Sequence, residues 1–386
     1  VKEVPEMTQN SSDQNDYPVL LGSAVLPIGE HWETSIRDLG GRAIRLALAD
    51  AGNPKPDAVY IGNAYASVLS HQANLGALLT EYAGLEGVES CTFEAAGASG
   101  AAAFRAACQA VQSGMIDVAV VLGVEKITEC EDSQAAQIAN LELNYEFETS
   151  QGLTTVMQAA LIAQNYLHTY GLDRSVFKSV AVNSFLNAAG NPNAMIRSMT
   201  EARYQAQGML ADPLGVFDFA MLADGAAAIV LTRAALVPAE KRDGLIRVCG
   251  SAGAIAPLSL HDRPDLIHWS AAAQSAASAL RRAGLRLANI DLFEIWDGSV
   301  IDAVLALESI GVCKPGHGWQ VDPVRLNLTG GCLGRGNPVG ASGVYQLAEI
   351  STLLKKEKLE NGTPQKALVQ AIAGCGATAI THILAS

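Results

Sequence analysis

No run of lysine or arginine occurs anywhere in this 386-residue chain, and its 26 basic residues face 39 acidic ones, for a formal charge of −13. A phosphate backbone is gripped by a clustered positive field, so nucleic acid is excluded as a partner. Charge is scarce altogether, at 17%, while 49% of the residues are hydrophobic and 36 are glycine. That mix excludes a disordered chain or a small stapled scaffold and predicts a large core with many tight turns. Cysteine patterns for metals or disulfides are missing as well. Cys91, Cys108, Cys130, Cys249, Cys313, Cys332 and Cys375 are odd in number, have no C-x-x-C spacing and fall mostly in apolar runs, as reduced cytosolic thiols do.

Membrane and export signals are equally absent. The longest apolar stretch, Ala367 to Ala385, is broken by Gln370, Gly374, Gly376 and His382, which suits a buried strand and turn better than a membrane span. Residues 1–17 are polar and lack the basic-then-apolar order of a signal peptide, so they are expected to be a tail. These features predict a soluble, cytoplasmic protein.

What is present is an alternation of two patterns. Strand-like runs (Val118 to Gly123, Ala227 to Thr232, Leu368 to Ile372) alternate with alanine-rich helical stretches (Ala101 to Gln112, Ala271 to Ala283, Val344 to Lys356), which predicts an α/β fold with buried sheets. The tetrapeptide Gly-Ala-Ser-Gly occurs at Gly97 to Gly100 and again at Gly340 to Gly343, each time opening an apolar helix that leads to an apolar strand. Two echoes so placed predict a duplicated chain, with an N-terminal half over 18–235 and a C-terminal half over 236–386. The segment between Gly123 and Ala227 is too long for a crossover and predicts an inserted loop domain over about 125–215. Its charges segregate: Ile127 to Leu172 holds no lysine or arginine, whereas Arg174, Lys178, Arg197 and Arg203 outnumber the acids between Asp173 and Arg203. Two solvated faces and a ligand or partner role both account for that.

The order of Glu94-Ala95-Ala96-Gly97-Ala98-Ser99-Gly100, Gly123-Val124-Glu125-Lys126, Ala211-Asp212-Pro213-Leu214, Ala223-Asp224-Gly225-Ala226-Ala227 and Gly330-Gly331-Cys332-Leu333-Gly334-Arg335-Gly336-Asn337-Pro338 resembles the thiolase superfamily, in its archaeal and sterol-carrier-protein-type branch of acetyl-CoA acetyltransferases. The resemblance implies two βαβαβαββ halves in five layers, α-β-α-β-α, with the loop domain over the active site. It also implies a homodimer or dimer of dimers, paired near Phe93. In such proteins a cysteine at a helix N-terminus is acylated, because the helix dipole and neighbouring donors favour its thiolate.

This chain departs from that pattern at each catalytic motif. The nucleophile position is Gly97, the G-H-P histidine is Asn337, the Asn/His position is Trp296, and the second cysteine falls on Ala371. Glycine has no side chain to acylate, so ordinary thiolysis is excluded. Thioester binding could survive through backbone donors at Gly97 and in the Gly374-Cys375-Gly376 turn. Asp297, Asn337, Tyr345 and His71 are the candidate polar or acid–base residues by position in the resemblance. Trp296 should make the site smaller and drier, while the small residues at 97 and 337 should open space beside it. Cys332 and Cys375 fit best as small buried hydrophobes. Lys178, Arg197 and Arg203 are the candidate cations for coenzyme A.

Two roles are implied. One is carbon–carbon bond chemistry on an acyl-CoA without an acyl-enzyme, of retro-aldol type, paired with a small OB-fold zinc-ribbon protein as in the thiolase-like steroid side-chain aldolases. The other is a silent subunit, or a homologue that has lost its ligand. No metal or other cofactor is expected beyond the coenzyme A thioester itself.

Overall fold

The computed structural model describes residues 17–196, 199–320, 322, 324–356 and 364–386. The expected tail, apart from Tyr17, and Arg197 therefore lie outside the described residues. The strands in chain order are β1 (Pro18–Val25), β2 (Ala58–Gly62), β3 (Glu89–Phe93), β4 (Val118–Glu125), β5 (Met209–Ala211), β6 (Leu214–Gly215), β7 (Gly225–Arg233), β8 (Ile246–Ile255), β9 (Leu292–Ile295), β10 (Lys366–Ala373) and β11 (Thr378–Ala385). Nine of them form one sheet in the order β3-β2-β4-β7-β1-β8-β11-β10-β9, with β5 and β6 a separate pair.

The duplication is visible in that order. β2 lies between parallel neighbours β3 and β4; β4 pairs antiparallel with β7, and β7 pairs antiparallel with β1. In the second half β9 runs parallel to β10, β10 pairs antiparallel with β11, and β11 pairs antiparallel with β8. The counterpart of β3 has shrunk to one parallel bridge, Phe293 to Leu326. The halves join where β1 touches β8 through Val19–Arg247 and Leu20–Ile246.

The two tetrapeptide echoes take one shape. Ala96–Ala98 and Val339–Ala341 are single 3₁₀ turns that run into helices Ser99–Gln112 and Ser342–Lys356. Each turn begins at a non-glycine residue of positive φ, Ala96 at 47° and Val339 at 28°. The helices cross in near contact: a Cβ on Gly343 would stand 2.6 Å from the Ala101 nitrogen, and one on Gly100 would stand 2.9 Å from the Gly340 oxygen. Glycine is required on both sides of that crossing. Phe104, Ala107, Val111, Val344, Leu347 and Ala348 of this central layer are fully buried between the sheet faces.

Between β4 and β7 the chain makes a long excursion with helices Asp132–Ala139, Thr155–Tyr170, Lys178–Ala188 and Glu201–Gln205. Thr154 caps the second of these by accepting from the Met157 amide at 3.2 Å, and Gly171 ends it in the left-handed conformation. Its Tyr166 hydroxyl donates to Glu308 Oε1 at 2.6 Å, which ties the excursion to helix Val300–Ile310. Among the described residues no helix is long and apolar enough to cross a membrane.

Candidate functional site

Five short segments converge below the excursion: the turn at Ala96–Ala98, residues 296–302 at the end of β9, the turn at 337–341, the β10–β11 turn at 374–377, and the loop around Glu142. A cavity of about 660 Å³ opens among most of them, with Tyr65, Glu142, Gln158, Trp296, Asp302 and Asn337 in its wall. Ile127, Phe219, Leu222 and Val339 supply apolar surface. No lysine or arginine is in the wall among the described residues.

Gly97 is buried but lies outside the cavity wall. A Cβ placed there would meet the Ile372 carbonyl oxygen at 2.8 Å and the Trp296 ring at 3.2 Å (Cζ2) and 3.3 Å (Cε2). The expectation of opened space at this position is thus corrected: the indole occupies it. Gly298 completes the fit, because a Cβ there would run into the same ring. Trp296 is 6% exposed, and its Nε1 has no hydrogen-bond partner among the described residues.

The other expected residues separate into those on the cavity and those turned from it. Asn337 is on it, with Oδ1 accepting from the Val339 amide at 3.1 Å and the Ser342 hydroxyl at 2.9 Å. That orientation leaves the Nδ2 amide as the group it can offer a ligand. Gly374 and Cys375 also line the cavity, whereas Gly376, at φ 88°, packs on Trp269. Cys375 is half-buried, and desolvation pushes its thiol well up, which suits a protonated thiol rather than a thiolate. Cys332 is fully buried under the 330–335 segment.

Asp297, Tyr345 and His71 lie outside the cavity wall. Asp297 points away from the cavity: it accepts from the Cys332 amide and, at 3.2 Å, from the Ser184 hydroxyl, so it fixes backbone. The Tyr345 hydroxyl donates to the Leu26 carbonyl at 2.8 Å inside the central layer. His71 is exposed on the loop before helix Leu75–Tyr82 and contributes nothing to the wall.

Sequence reasoning missed two carboxylic acids. Glu142 accepts from the Tyr65 hydroxyl at 3.2 Å through Oε1 and from the Gly374 amide at 3.1 Å through Oε2. The Gly374 donor expected to be open to a thioester oxygen is therefore engaged by a side chain. Burial raises the Glu142 carboxyl above its ordinary value. Asp302, 3% exposed, accepts from the Ser299 amide at 2.7 Å through Oδ2, while Oδ1 has no partner among the described residues. Burial pushes its carboxyl up to about 7 against the hydrogen bonds from Ser299. The signal for Asp302 was legible only as a helix start, Ser299-x-x-Asp302. Glu142 gave no signal beyond its place in an acidic stretch.

The 374–377 turn is clamped from outside by Arg263, whose guanidinium donates to the carbonyls of Cys375 (2.6 Å), Gly374 (2.8 Å), Leu258 (2.9 Å) and Pro257 (2.9 Å). Of the expected coenzyme A cations, Lys178 pairs with Glu201 and Arg203 lies over the Phe217 ring at 5.4 Å. Both are outside the cavity wall; the Phe217 segment leads directly into wall residues Phe219 to Leu222.

The chain is 34% identical to an acetyl-CoA acetyltransferase of Methanothermobacter thermautotrophicus over 94% of its own length and 98% of that relative's. In fold it is similar to the Ltp2-ChsH2(DUF35) aldolase, with a TM-score of 0.80 at 21% identity over 96% of this chain and 98% of the other. It is also similar to human mitochondrial 3-ketoacyl-CoA thiolase in complex with CoA, with a TM-score of 0.76 at 18% identity over the same shares. The thiolase N-terminal domain model matches residues 19–200 and the thiolase C-terminal domain-like model matches 252–386, so the chain belongs to the thiolase family and has its fold.

Proposed function

We propose that the protein binds an acyl-CoA thioester in this cavity and makes or breaks a carbon–carbon bond without an acyl-enzyme, in the manner of an aldolase. The observation that carries this reading is the Trp296 indole packed against Gly97, which leaves neither a nucleophile nor room for one. A retro-aldol step needs only a base, an acid and donors for the enolate oxygen. The cavity wall holds three carboxylic acids, Glu30, Glu142 and Asp302, together with the Asn337 amide and Trp296, whose buried Nε1 has no partner among the described residues. The likeness to an aldolase complex supports the reading and points to a small DUF35-type partner, as in that complex. β3, the outermost strand, has a largely exposed row of residues suited to pairing with a second copy.

The test is to incubate the protein, alone and with a co-expressed DUF35-type protein, with 3-hydroxy-3-methylbutyryl-CoA and related 3-hydroxyacyl-CoA thioesters. Release of a ketone or aldehyde with the shortened acyl-CoA is expected, with no acyl mass on the protein. The blocked position also favours a second reading, a silent subunit supporting an active partner. Thioester binding without any cleavage, by the protein alone or with its partner, would put that reading first.

A further inference from the structure

Among the acids of the cavity wall, one has a buried oxygen without a partner among the described residues. Glu30 is exposed and takes the Trp32 indole N–H at 3.0 Å, and both Glu142 oxygens are engaged by Tyr65 and Gly374. Asp302 differs. It lines the cavity from the first turn of helix Val300–Ile310, with Oδ2 fixed by the Ser299 amide and the buried Oδ1 without a partner among the described residues. Leaving a buried acceptor unmatched is costly, and on a residue that lines a cavity such an oxygen is free to take a proton or a hydrogen bond from a ligand.

We propose that Asp302 is the acid–base residue that carries the proton between the β-oxygen and the α-carbon of the bound thioester. This rests on the acyl-CoA reading above. In cleavage, the Asp302 carboxylate accepts the β-hydroxyl proton while the Cα–Cβ bond breaks; the bond pair moves onto the thioester as an enolate, and the β-carbon becomes a carbonyl. Asp302 then returns the same proton to the α-carbon, so no electron and no net proton is gained or lost. The donors assigned to the enolate oxygen are on residues of the same wall, the Asn337 amide and the Nε1 of Trp296, unpartnered among the described residues. Asp302's position on a rigid helix end, beside a clamped turn, gives the proton transfer a fixed geometry. The ionisable groups that bear on it are Glu142 from the excursion and Cys375 from the β10–β11 turn. Burial places its titration near neutrality, where a carboxyl can both accept and donate.

The experiment follows exchange of the acetyl-CoA methyl protons in D₂O by NMR, with binding of acetyl-CoA measured separately by thermal shift. Wild-type protein is expected to catalyse exchange, and Asp302→Asn to bind acetyl-CoA as before while exchanging at least about a hundredfold more slowly. The wild-type rate is expected to rise with pH and level off above about 7, a readout that stands even if the variant fails to fold. Exchange within threefold of wild type in Asp302→Asn, a rate flat between pH 5 and 9, or bound acetyl-CoA with no exchange at all would each overturn the assignment. Failure of wild-type protein to bind acetyl-CoA would instead overturn the acyl-CoA reading.

Discussion

The Trp296 ring stands 3.2 Å from where a Cβ of residue 97 would be, so the indole and any side chain at that position compete for one volume. The contact joins the two halves of the molecule: residue 97 opens the central helix of the first, and Trp296 follows β9 of the second. The Ile372 carbonyl closes the third side. The indole at 296 and a side chain at 97 exclude one another in this packing.

Gly97→Cys is therefore expected to destabilise the fold by about 1–3 kcal/mol, the usual range for overpacking, and to restore no thiolysis of acetoacetyl-CoA. Adding Trp296→Asn should recover part of that loss, with a coupling of about 1 kcal/mol or more in a double-mutant cycle of denaturant midpoints. Additive effects would show that the ring moves aside freely. Intact-mass analysis after exposure of wild-type protein to acetyl-CoA should find no acyl adduct, and an adduct mapped to any cysteine would refute the non-covalent reading.

Asp302 makes the stability of the protein depend on pH in a defined direction. Its carboxyl, ordinarily near 3.8, is pushed up to about 7 by burial, so the folded state binds a proton that the unfolded state releases. Its contribution is present below about pH 4 and is lost as pH rises through about 7. The loss amounts to about 4 kcal/mol at 1.36 kcal/mol per pK unit, an order-of-magnitude figure. Asp302→Asn, neutral throughout, should gain stability relative to wild type as pH rises from 4 to 8 in parallel urea titrations. A difference that stays constant would mean that the carboxyl titrates normally.

Arg263→Ala should cost about 2–4 kcal/mol, because four carbonyls in and beside the 374–377 turn lose a charged donor together. Arg263→Lys should recover little, since a single ammonium cannot reproduce the planar fork. Hydrogen exchange at the Gly374 and Ala377 amides should speed up in both variants while the central helices stay protected. Equal rates in Lys and wild-type protein would show that charge alone holds the turn.

The repeat of Gly-Ala-Ser-Gly was legible because each copy dictates the same local geometry: a 3₁₀ turn, then a helix bare enough of side chains to cross its twin at Gly100 and Gly343. Local pattern plus close approach suffices there. The choice between Asp297 and Asp302 was not legible. They lie in one short segment, but Asp297 leaves β9 turned toward the Cys332 amide, whereas Asp302 is set by helix phase and by the Ser299 cap. Only the angle between strand and helix, fixed by distant packing, decides which carboxyl meets the cavity. Glu142 was hidden for a related reason, since its position depends on how the excursion folds back onto the Gly374 turn. The cation candidates remain expectations from charge segregation, and they bear on ligand binding.

Coenzyme A brings a 3′-phosphate and a pyrophosphate to a protein of charge −13, and the cavity wall is acidic. On the proposed acyl-CoA reading the nucleotide is expected outside the cavity, against a local positive field, with only the pantetheine arm reaching in. Arg203 is the candidate for that contact, since it lies over Phe217, whose segment continues into wall residues Phe219 to Leu222. Lys178 is a weaker candidate because Glu201 already neutralises it. Millimolar CoA should raise the melting temperature, since a ligand at a hundred times its Kd adds about 2.7 kcal/mol to the native state. Arg203→Glu should shrink that shift at low salt and much less at high salt, where the field is screened. Arg203→Glu should leave the effect of an acyl-pantetheine unchanged, because that ligand carries no phosphate. Equal losses for both ligands would place Arg203 in the fold rather than at the nucleotide.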